Sequence, residues 1–304
     1  MSGPSKHRLM DAPVATGAGI AHAGATREEL VALFRSALAR GIHGLCFSAY
    51  LPGQSPEKES QISEAQIRAR LEIVRPYTRW VRSFSCTDGN EAVPRLAKEA
   101  GLKTLVGAWL GTDRKKNEVE LAAAIEVAKA GHADILAIGN EVLLRGDLTE
   151  DELIGYLRRA KAALPGVSIS YVDAYYLFTL HPRLVEACDV LLTNCYPFWE
   201  YCALDSSIDY MKEMHARVVR VAGGRPVIIS ETGWPSAGTN VGAAEPSVEN
   251  ALRYLLATLE WTQSAGIELF YFAAFDEAWK AGAEGDRGVT WGLWDQDGKP
   301  KYGG

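Results

Sequence analysis

Short apolar segments recur along the chain at a regular interval, and this spacing constrains the fold more than any other feature of the sequence. Eight such runs, rich in β-branched or aromatic residues, alternate with segments of helical periodicity. Their centres lie about 32 residues apart, close to the roughly 30 residues that a strand and its crossover helix require. The predicted strands are 45–50, 79–85, 103–109, 134–139, 167–173, 189–194, 226–230 and 268–275.

Most of these runs are continuously apolar rather than alternating, which is typical of strands buried on both faces of a parallel sheet. Eight consecutive strand–helix units predict a single (β/α)₈ TIM barrel. The length of 304 residues is also compatible with two domains of about 150 residues each, and a doubly wound sheet is the alternative fold. No G-x-G-x-x-G motif follows the early strands, so we expect one barrel over residues 26–304, preceded by an irregular leader at 1–25.

Helical segments are predicted at 147–162 and 247–263, the second ending near Gly266. A further helix follows Thr26, whose spacing to Glu29 fits a capping box. This helix precedes the first strand, whereas little helical pattern follows the eighth. We therefore expect it to close the barrel where an eighth helix would lie, or to plug the N-terminal mouth.

Composition excludes several classes of partner and site. A net charge of −6 and a pI of about 5.6 disfavour binding to nucleic acid or to an anionic membrane. No apolar run reaches the 18 residues of a membrane-spanning helix. The six histidines are scattered without an H-E-x-x-H motif, so no metal or cofactor is expected. The cysteines form no C-x-x-C pair and are predicted to be buried thiols: Cys46, Cys86, Cys188, Cys195 and Cys202.

Two glutamates come directly after apolar strands, Glu141 after the fourth and Glu231 after the seventh. Active groups of such barrels lie at the C-terminal ends of the strands, and these two strands lie on opposite sides of the ring. Two facing carboxylates suit glycoside hydrolysis, and aromatic rings can hold the apolar faces of sugars. Taken alone, a strand-end glutamate is more often solvated or ion-paired and an aromatic more often core, so the pattern leaves both interpretations open. The aromatic candidates are Tyr196, Phe198, Trp199, Trp234, Trp279 and Trp291.

The strings IGNE at 138–141 and ISETGWPS at 229–236 resemble the two active-site signatures of glycoside hydrolase family 17. That family comprises retaining β-1,3-glucanases and glucanosyltransferases with a (β/α)₈ fold. GLCFSAY at 44–50, VRSFS at 81–85 and FDEAWK at 275–280 are also similar to the family, and the resemblance extends to about residue 294. It is nearer to bacterial and fungal members, since plant members have asparagine where this chain has Asp276 before the strand-eight glutamate.

The resemblance implies that Glu141 is the proton donor and later the general base, and that Glu231 is the nucleophile. Asn140 is expected to hydrogen-bond the substrate 2-hydroxyl, and Tyr196 to orient the nucleophile unless it is merely a packed aromatic. The other substrate-binding candidates are Tyr50, Phe198, Trp199, Trp234, Glu277 and Lys280, with Glu284 supporting Lys280; a surface ion pair is the alternative for the charged residues.

A retaining mechanism predicts a carboxyl separation near ~5–5.5 Å and environments that give the two glutamates different pKa values. The aromatic segment at 196–201 favours transfer of a glucan chain to a sugar acceptor over plain endo-hydrolysis. The expected partner is β-1,3-glucan or a laminari-oligosaccharide, in a periplasmic or extracellular setting. The ends of the chain are compatible with a domain excised from a membrane-attached glucan synthase.

Other functions remain as alternatives. A non-catalytic β-glucan-binding barrel has no need of both glutamates. An aldolase would require a strand-end lysine, where strand six offers Thr193 and Asn194. A phosphate-handling barrel would place an anion cradle after strands seven and eight, where this chain has acidic side chains.

Overall fold

Eight parallel strands form a closed barrel in chain order, and β1 pairs with β8 to complete the ring. The computed structural model describes residues 19–302. The strands are β1 Ile42–Cys46, β2 Thr78–Arg82, β3 Lys103–Ala108, β4 Ile135–Asn140, β5 Ser168–Ala174, β6 Leu191–Asn194, β7 Val227–Thr232 and β8 Leu269–Tyr271. The predicted (β/α)₈ fold is confirmed.

Helices alternate with these strands around the ring. They are α1 Arg27–Arg40, α2 Glu64–Val74, α3 Ala92–Glu99, α4 Arg114–Lys129, α5 Val142–Arg145, α6 Glu150–Ala163, α7 Tyr175–Leu180, α8 Pro182–Ala187, α9 Leu204–Val221, α10 Val248–Ala265 and α11 Ala281–Glu284. Short 3₁₀ segments lie at Pro56–Lys58, Ala278–Lys280 and Asp286–Val289. The described chain after β8 therefore holds only short helical turns.

Capping side chains explain where the predicted helices begin and end. Ser247 accepts a hydrogen bond from the backbone N–H of Asn250 at the start of α10, and Gly266 ends that helix in the left-handed conformation with φ of 65°. Helix α6 begins later than predicted because Thr149 and Glu152 form a capping box. β1 begins three residues before its predicted start and ends at Cys46, and β8 ends at Tyr271. Residues 47–50 and 272–275 leave the barrel as largely buried loop segments.

Helix α1 packs against α10 on the outside of the barrel. The Phe34 ring meets Tyr302 edge-on with centroids 5.3 Å apart, and the Arg253 guanidinium of α10 donates to the backbone carbonyls of His22 and Ala25 at 3.3 and 3.1 Å. The expectation that this helix closes the barrel where an eighth helix would lie is thus confirmed. Residues 19–25 of the predicted leader contact the domain, while 1–18 lie outside the described residues.

The interior is dominated by apolar side chains from all eight strands and the inward faces of the helices. All five cysteines are buried and have free thiols, as predicted. Within residues 19–302, no helix has the length and apolar character needed to cross a membrane.

Candidate active site

Two residues at and just after the end of β4 have left-handed backbone. Gly139 has φ of 88° and Glu141 has φ of 51°, a conformation that side-chain-bearing residues rarely adopt. A Cβ atom on Gly139 would lie 2.8 Å from Cγ2 of Val142, so glycine is required there. This turn brings the Glu141 carboxyl across the mouth of the barrel, where it meets Asn194 at the end of β6.

Asn194 connects the two glutamates. Its Nδ2 donates to Oε1 of Glu141 at 2.8 Å and to Oε1 of Glu231 at 3.1 Å. Its Oδ1 accepts from the Ser230 hydroxyl at 2.8 Å, which fixes the orientation of the amide. Because both carboxyl oxygens bind one nitrogen, they lie no more than 5.9 Å apart, the two bond lengths laid end to end.

Glu231 is surrounded by donors at the end of β7. Besides Asn194, Arg82 Nη1 donates to Oε1 at 2.6 Å and the Tyr196 hydroxyl donates to Oε2 at 2.8 Å. Burial and the adjacent Glu231 carboxylate raise the pKa of Tyr196 well above its ordinary value, so its hydroxyl stays protonated and able to donate. The expected contact between Tyr196 and Glu231 is therefore present.

Arg82, at the end of β2, links the two sides of the site. Its Nη1 also donates to the backbone carbonyl of Ser230 at 2.8 Å, and its Nη2 donates to Oδ1 of Asn140 at 2.7 Å. Neither Arg82 nor Asn194 was predicted as a site residue. The available signal was an arginine and an asparagine as the last residues of two barrel strands, where a buried polar group needs partners.

We expect Arg82→Met to lower the free energy of unfolding by about 3–5 kcal/mol, because the buried Glu231 loses its cationic partner. Arg159→Met is the matched control, since Arg159 pairs with Glu118 on the exposed surface and should cost at most about 1 kcal/mol. Urea denaturation at neutral pH compares the two variants. Equal losses would contradict the structural role given to Arg82.

Glu277 and Lys280 follow β8 and form a buried ion pair, with Nζ of Lys280 3.0 Å from Oε2 of Glu277. Their side chains are only 9% and 11% exposed, so the surface ion-pair alternative is wrong. Burial raises the pKa of Glu284 to about 7, Lys280 opposes this, and the Glu277, Glu141 and Glu231 carboxyls raise it further. These charged groups therefore belong to the same electrostatic site.

The aromatic candidates divide into buried and partly exposed rings. Phe198 is 0%, Trp234 1% and Trp291 3% exposed, so their prediction as sugar platforms is wrong. The Trp234 indole N–H donates to the backbone carbonyl of Glu245 at 2.9 Å. Phe198 packs edge-on against Trp199, Trp234 and Trp291, with centroids 5.3, 5.1 and 5.4 Å away. Tyr50, Tyr196, Trp199 and Trp279 keep partly exposed surface.

Trp199 packs at a tilt against the buried Trp291, with centroids 5.6 Å apart and an interplanar angle of 33°. Trp291 in turn lies 5.6 Å from Tyr196, the residue bonded to Glu231. Across the barrel, the Tyr50 ring lies 6.4 Å from Trp279. Partly exposed rings therefore lie on both sides of the paired glutamates.

The exposed ring of Trp109 was missed by the sequence analysis, although it directly follows β3. It is 44% exposed, and the Arg145 guanidinium carbon lies 4.6 Å from its ring centroid. Arg145 also donates to the backbone carbonyl of Asn140. A further aromatic surface thus adjoins the end of β4.

The carboxyl of Glu200 accepts hydrogen bonds from the hydroxyl groups of Tyr175 and Tyr210. Burial raises its pKa from 4.5 to about 7, while hydrogen bonds from the two tyrosines oppose the shift. The unfolded chain therefore releases this proton near pH 4.5 and the folded protein near pH 7, so Glu200 destabilises the fold as the pH rises through that interval.

We expect Glu200→Gln to remove this contribution, which is at most about 3 kcal/mol. Relative to the unchanged protein, the variant should gain stability on going from pH 5 to pH 8, measured by urea denaturation at both values. A stability difference that does not change with pH would contradict the assignment.

Comparison with known proteins agrees with this geometry. Residues 44–292 match the family model described as the BtgE/BtgC glycoside hydrolase domain. A glucan 1,3-beta-glucosidase of Arthroderma benhamiae is 29% identical, over 79% of this chain and 84% of the relative. A glucan 1,3-beta-glucosidase of Saccharomyces cerevisiae is 24% identical, over 79% of this chain and 85% of the relative.

Among solved structures, the glycoside hydrolase family 17 beta-1,3-glucanosyltransferase of Rhizomucor miehei is similar with a TM-score of 0.78 and 28% identity. The alignment covers 86% of this chain and 96% of that chain. The same enzyme, as an active-site mutant, has been solved in complex with laminaritriose. The chain belongs to the BtgE/BtgC glycoside hydrolase domain family, and its resemblance to glycoside hydrolase family 17 is confirmed.

Proposed function

We propose that this protein is a retaining enzyme that acts on β-1,3-glucan by double displacement, with Glu231 as the nucleophile and Glu141 as the acid/base. The observation that carries the proposal is the single Asn194 nitrogen bonded to both carboxyls, which limits the separation of the bonded oxygens to 5.9 Å. Retaining enzymes have carboxyls about 5–5.5 Å apart, whereas inverting enzymes need roughly 6.5–9.5 Å to admit a water molecule. The names of the relatives support the substrate class.

In the first step, a Glu231 carboxylate oxygen attacks the anomeric carbon while Glu141 gives its proton to the glycosidic oxygen. The bond to the leaving sugar breaks, and a glycosyl ester to Glu231 forms. The donors on Glu231 position its carboxylate for this attack. Oδ1 of Asn140 accepts from Arg82, so the Nδ2 group is the part of the Asn140 amide that would donate to a substrate 2-hydroxyl.

In the second step, the Glu141 carboxylate removes a proton from the acceptor hydroxyl, and the acceptor oxygen attacks the anomeric carbon. The ester bond breaks, Glu231 leaves as a carboxylate, and the β configuration is restored. Water as the acceptor gives hydrolysis, and a sugar gives transfer.

The aromatic surface beside Glu231 favours transfer. Trp199 is held by Trp291, and Tyr196 joins this cluster to the Glu231 carboxylate. A rigid, partly exposed ring at this position can hold an acceptor sugar and displace water from the ester. Glucan transfer is accordingly the proposed main activity.

Incubation with laminaripentaose and sizing of the early products tests the proposal. We expect oligosaccharides longer than the pentaose to form together with shorter ones, and Glu231→Gln to form neither. Shorter products alone would contradict transfer and identify a plain hydrolase. An unchanged pentaose would contradict the proposed substrate class.

A further inference from the structure

The turn that carries Glu141 is held from behind by β5. Gly139 and Glu141 are both left-handed, and the pairing of β4 with β5 shifts register between Ala137 and Asn140. The backbone N–H of Glu141 donates to the carbonyl of Val172 at 2.8 Å. The conformation of this turn therefore depends on its contacts with the neighbouring strand.

Two buried side chains of β5, Tyr171 and Asp173, add further contacts to this turn. The mechanism above uses neither of them. Both are 0% exposed. The Tyr171 hydroxyl accepts from the backbone N–H of Leu143 at 2.9 Å and donates to the Asp173 carboxyl. Asp173 Oδ1 also accepts from the backbone N–H of Ala174 at 2.8 Å. The pair is thus anchored to β5 and reaches the backbone just after Glu141.

Tyr171 also contacts the turn before Glu141. A Cβ atom on Gly139 would lie 3.4 Å from the Tyr171 ring, so the ring packs directly against this glycine. One side chain therefore fixes the backbone on both sides of Glu141, two residues before it by packing and two residues after it by a hydrogen bond.

Asp173 also interacts with Glu141 electrostatically. Burial raises the pKa of Asp173 to about 7, and the nearby Glu141 carboxyl adds a smaller increase. The hydrogen bonds to Asp173 oppose this shift. Asp173 therefore lies close enough to the Glu141 carboxyl for the two groups to interact.

We propose that Tyr171 and Asp173 form a positioning pair for the acid/base function, holding the Glu141 carboxyl in place through the backbone of its own turn. This inference rests on the proposed role of Glu141. Neither side chain touches the substrate; the pair acts through Glu141 on the steps that require proton transfer to or from a sugar oxygen.

The dependence of kcat/KM on the leaving group tests the proposed role of Tyr171 and Asp173. Tyr171→Phe and Asp173→Asn are assayed with phenyl β-laminaribioside, whose leaving group needs a proton, and with the 2,4-dinitrophenyl analogue, whose leaving group departs without one. We expect kcat/KM to fall about 10-fold or more on the phenyl substrate and to change less than about threefold on the dinitrophenyl substrate. Equal losses on both substrates, or no loss on either, would overturn the inference.

Two further variants separate the possible outcomes. Glu141→Gln should also lose more kcat/KM on the phenyl substrate than on the dinitrophenyl substrate, and its loss should be larger. If it does not show this leaving-group selectivity, the proposed function itself fails. Selectivity in Glu141→Gln without selectivity in the β5 variants overturns the positioning pair alone.

Tyr210→Phe is the structural control, because it also removes a buried tyrosine hydroxyl bonded to a carboxylate, that of Glu200. It should show no leaving-group dependence, and selectivity equal to that of Tyr171→Phe would contradict a specific role for the pair.

Discussion

Replacing Glu231 by glutamine is expected to reduce kcat on laminari-oligosaccharides roughly 10⁴-fold or more, because an amide cannot form the glycosyl ester. The loss should be similar for phenyl and dinitrophenyl substrates, since both require the same nucleophile. Steady-state rates on the two aryl substrates provide the measurement. A loss confined to the phenyl substrate would contradict the nucleophile assignment.

A small external nucleophile supplies the control for this variant. In Glu231→Gly, azide can occupy the space of the missing carboxylate and attack the anomeric carbon directly. One displacement inverts the centre, so an α-glycosyl azide is the expected product. A β-glycosyl azide from this variant would contradict the assignment.

Replacing Glu141 by glutamine is expected to lower kcat/KM on phenyl substrates about 10²–10⁴-fold, the range of a lost general acid. On dinitrophenyl substrates, formation of the ester should be nearly normal. Its breakdown should be slow because no base activates the acceptor, so kcat and KM should fall together. Rates with both leaving groups give the measurement.

Azide again separates the roles. In Glu141→Ala, azide attacks the glycosyl ester on Glu231 without needing a base, so the second inversion gives a β-glycosyl azide and kcat rises. Failure of azide to accelerate this variant, or an α product, would contradict the acid/base role of Glu141.

The barrel was predictable from the sequence because closed parallel strands are buried on both faces, which leaves a regular apolar repeat. The ends of β1 and β8 were not predictable, since most of the loop residues after them are also buried and apolar. Strand order places Glu141 and Glu231 at the ends of facing strands, and the family resemblance of the strings IGNE and ISETGWPS then implied their roles.

The partners of the glutamates were less accessible to sequence analysis. Arg82 and Asn194 act across the barrel, on residues of other strands, and nothing in their local sequence specifies which groups they meet. Phe198, Trp234 and Trp291 were predicted wrongly for a related reason. An aromatic after a strand can face the cleft or support it from below, and only the packing of several loops decides which.

The anomeric configuration of the first sugar released tests the account most directly. Proton NMR during digestion of a laminari-oligosaccharide follows the new reducing ends. Only the hydrolytic turnovers, in which water attacks the glycosyl ester, place such an end on the sugar bound to Glu231. Two displacements at Glu231 predict that the new β-glucosyl anomeric signal appears first and the α signal follows by mutarotation. The α signal appearing first would mean a single displacement and would contradict the retaining mechanism.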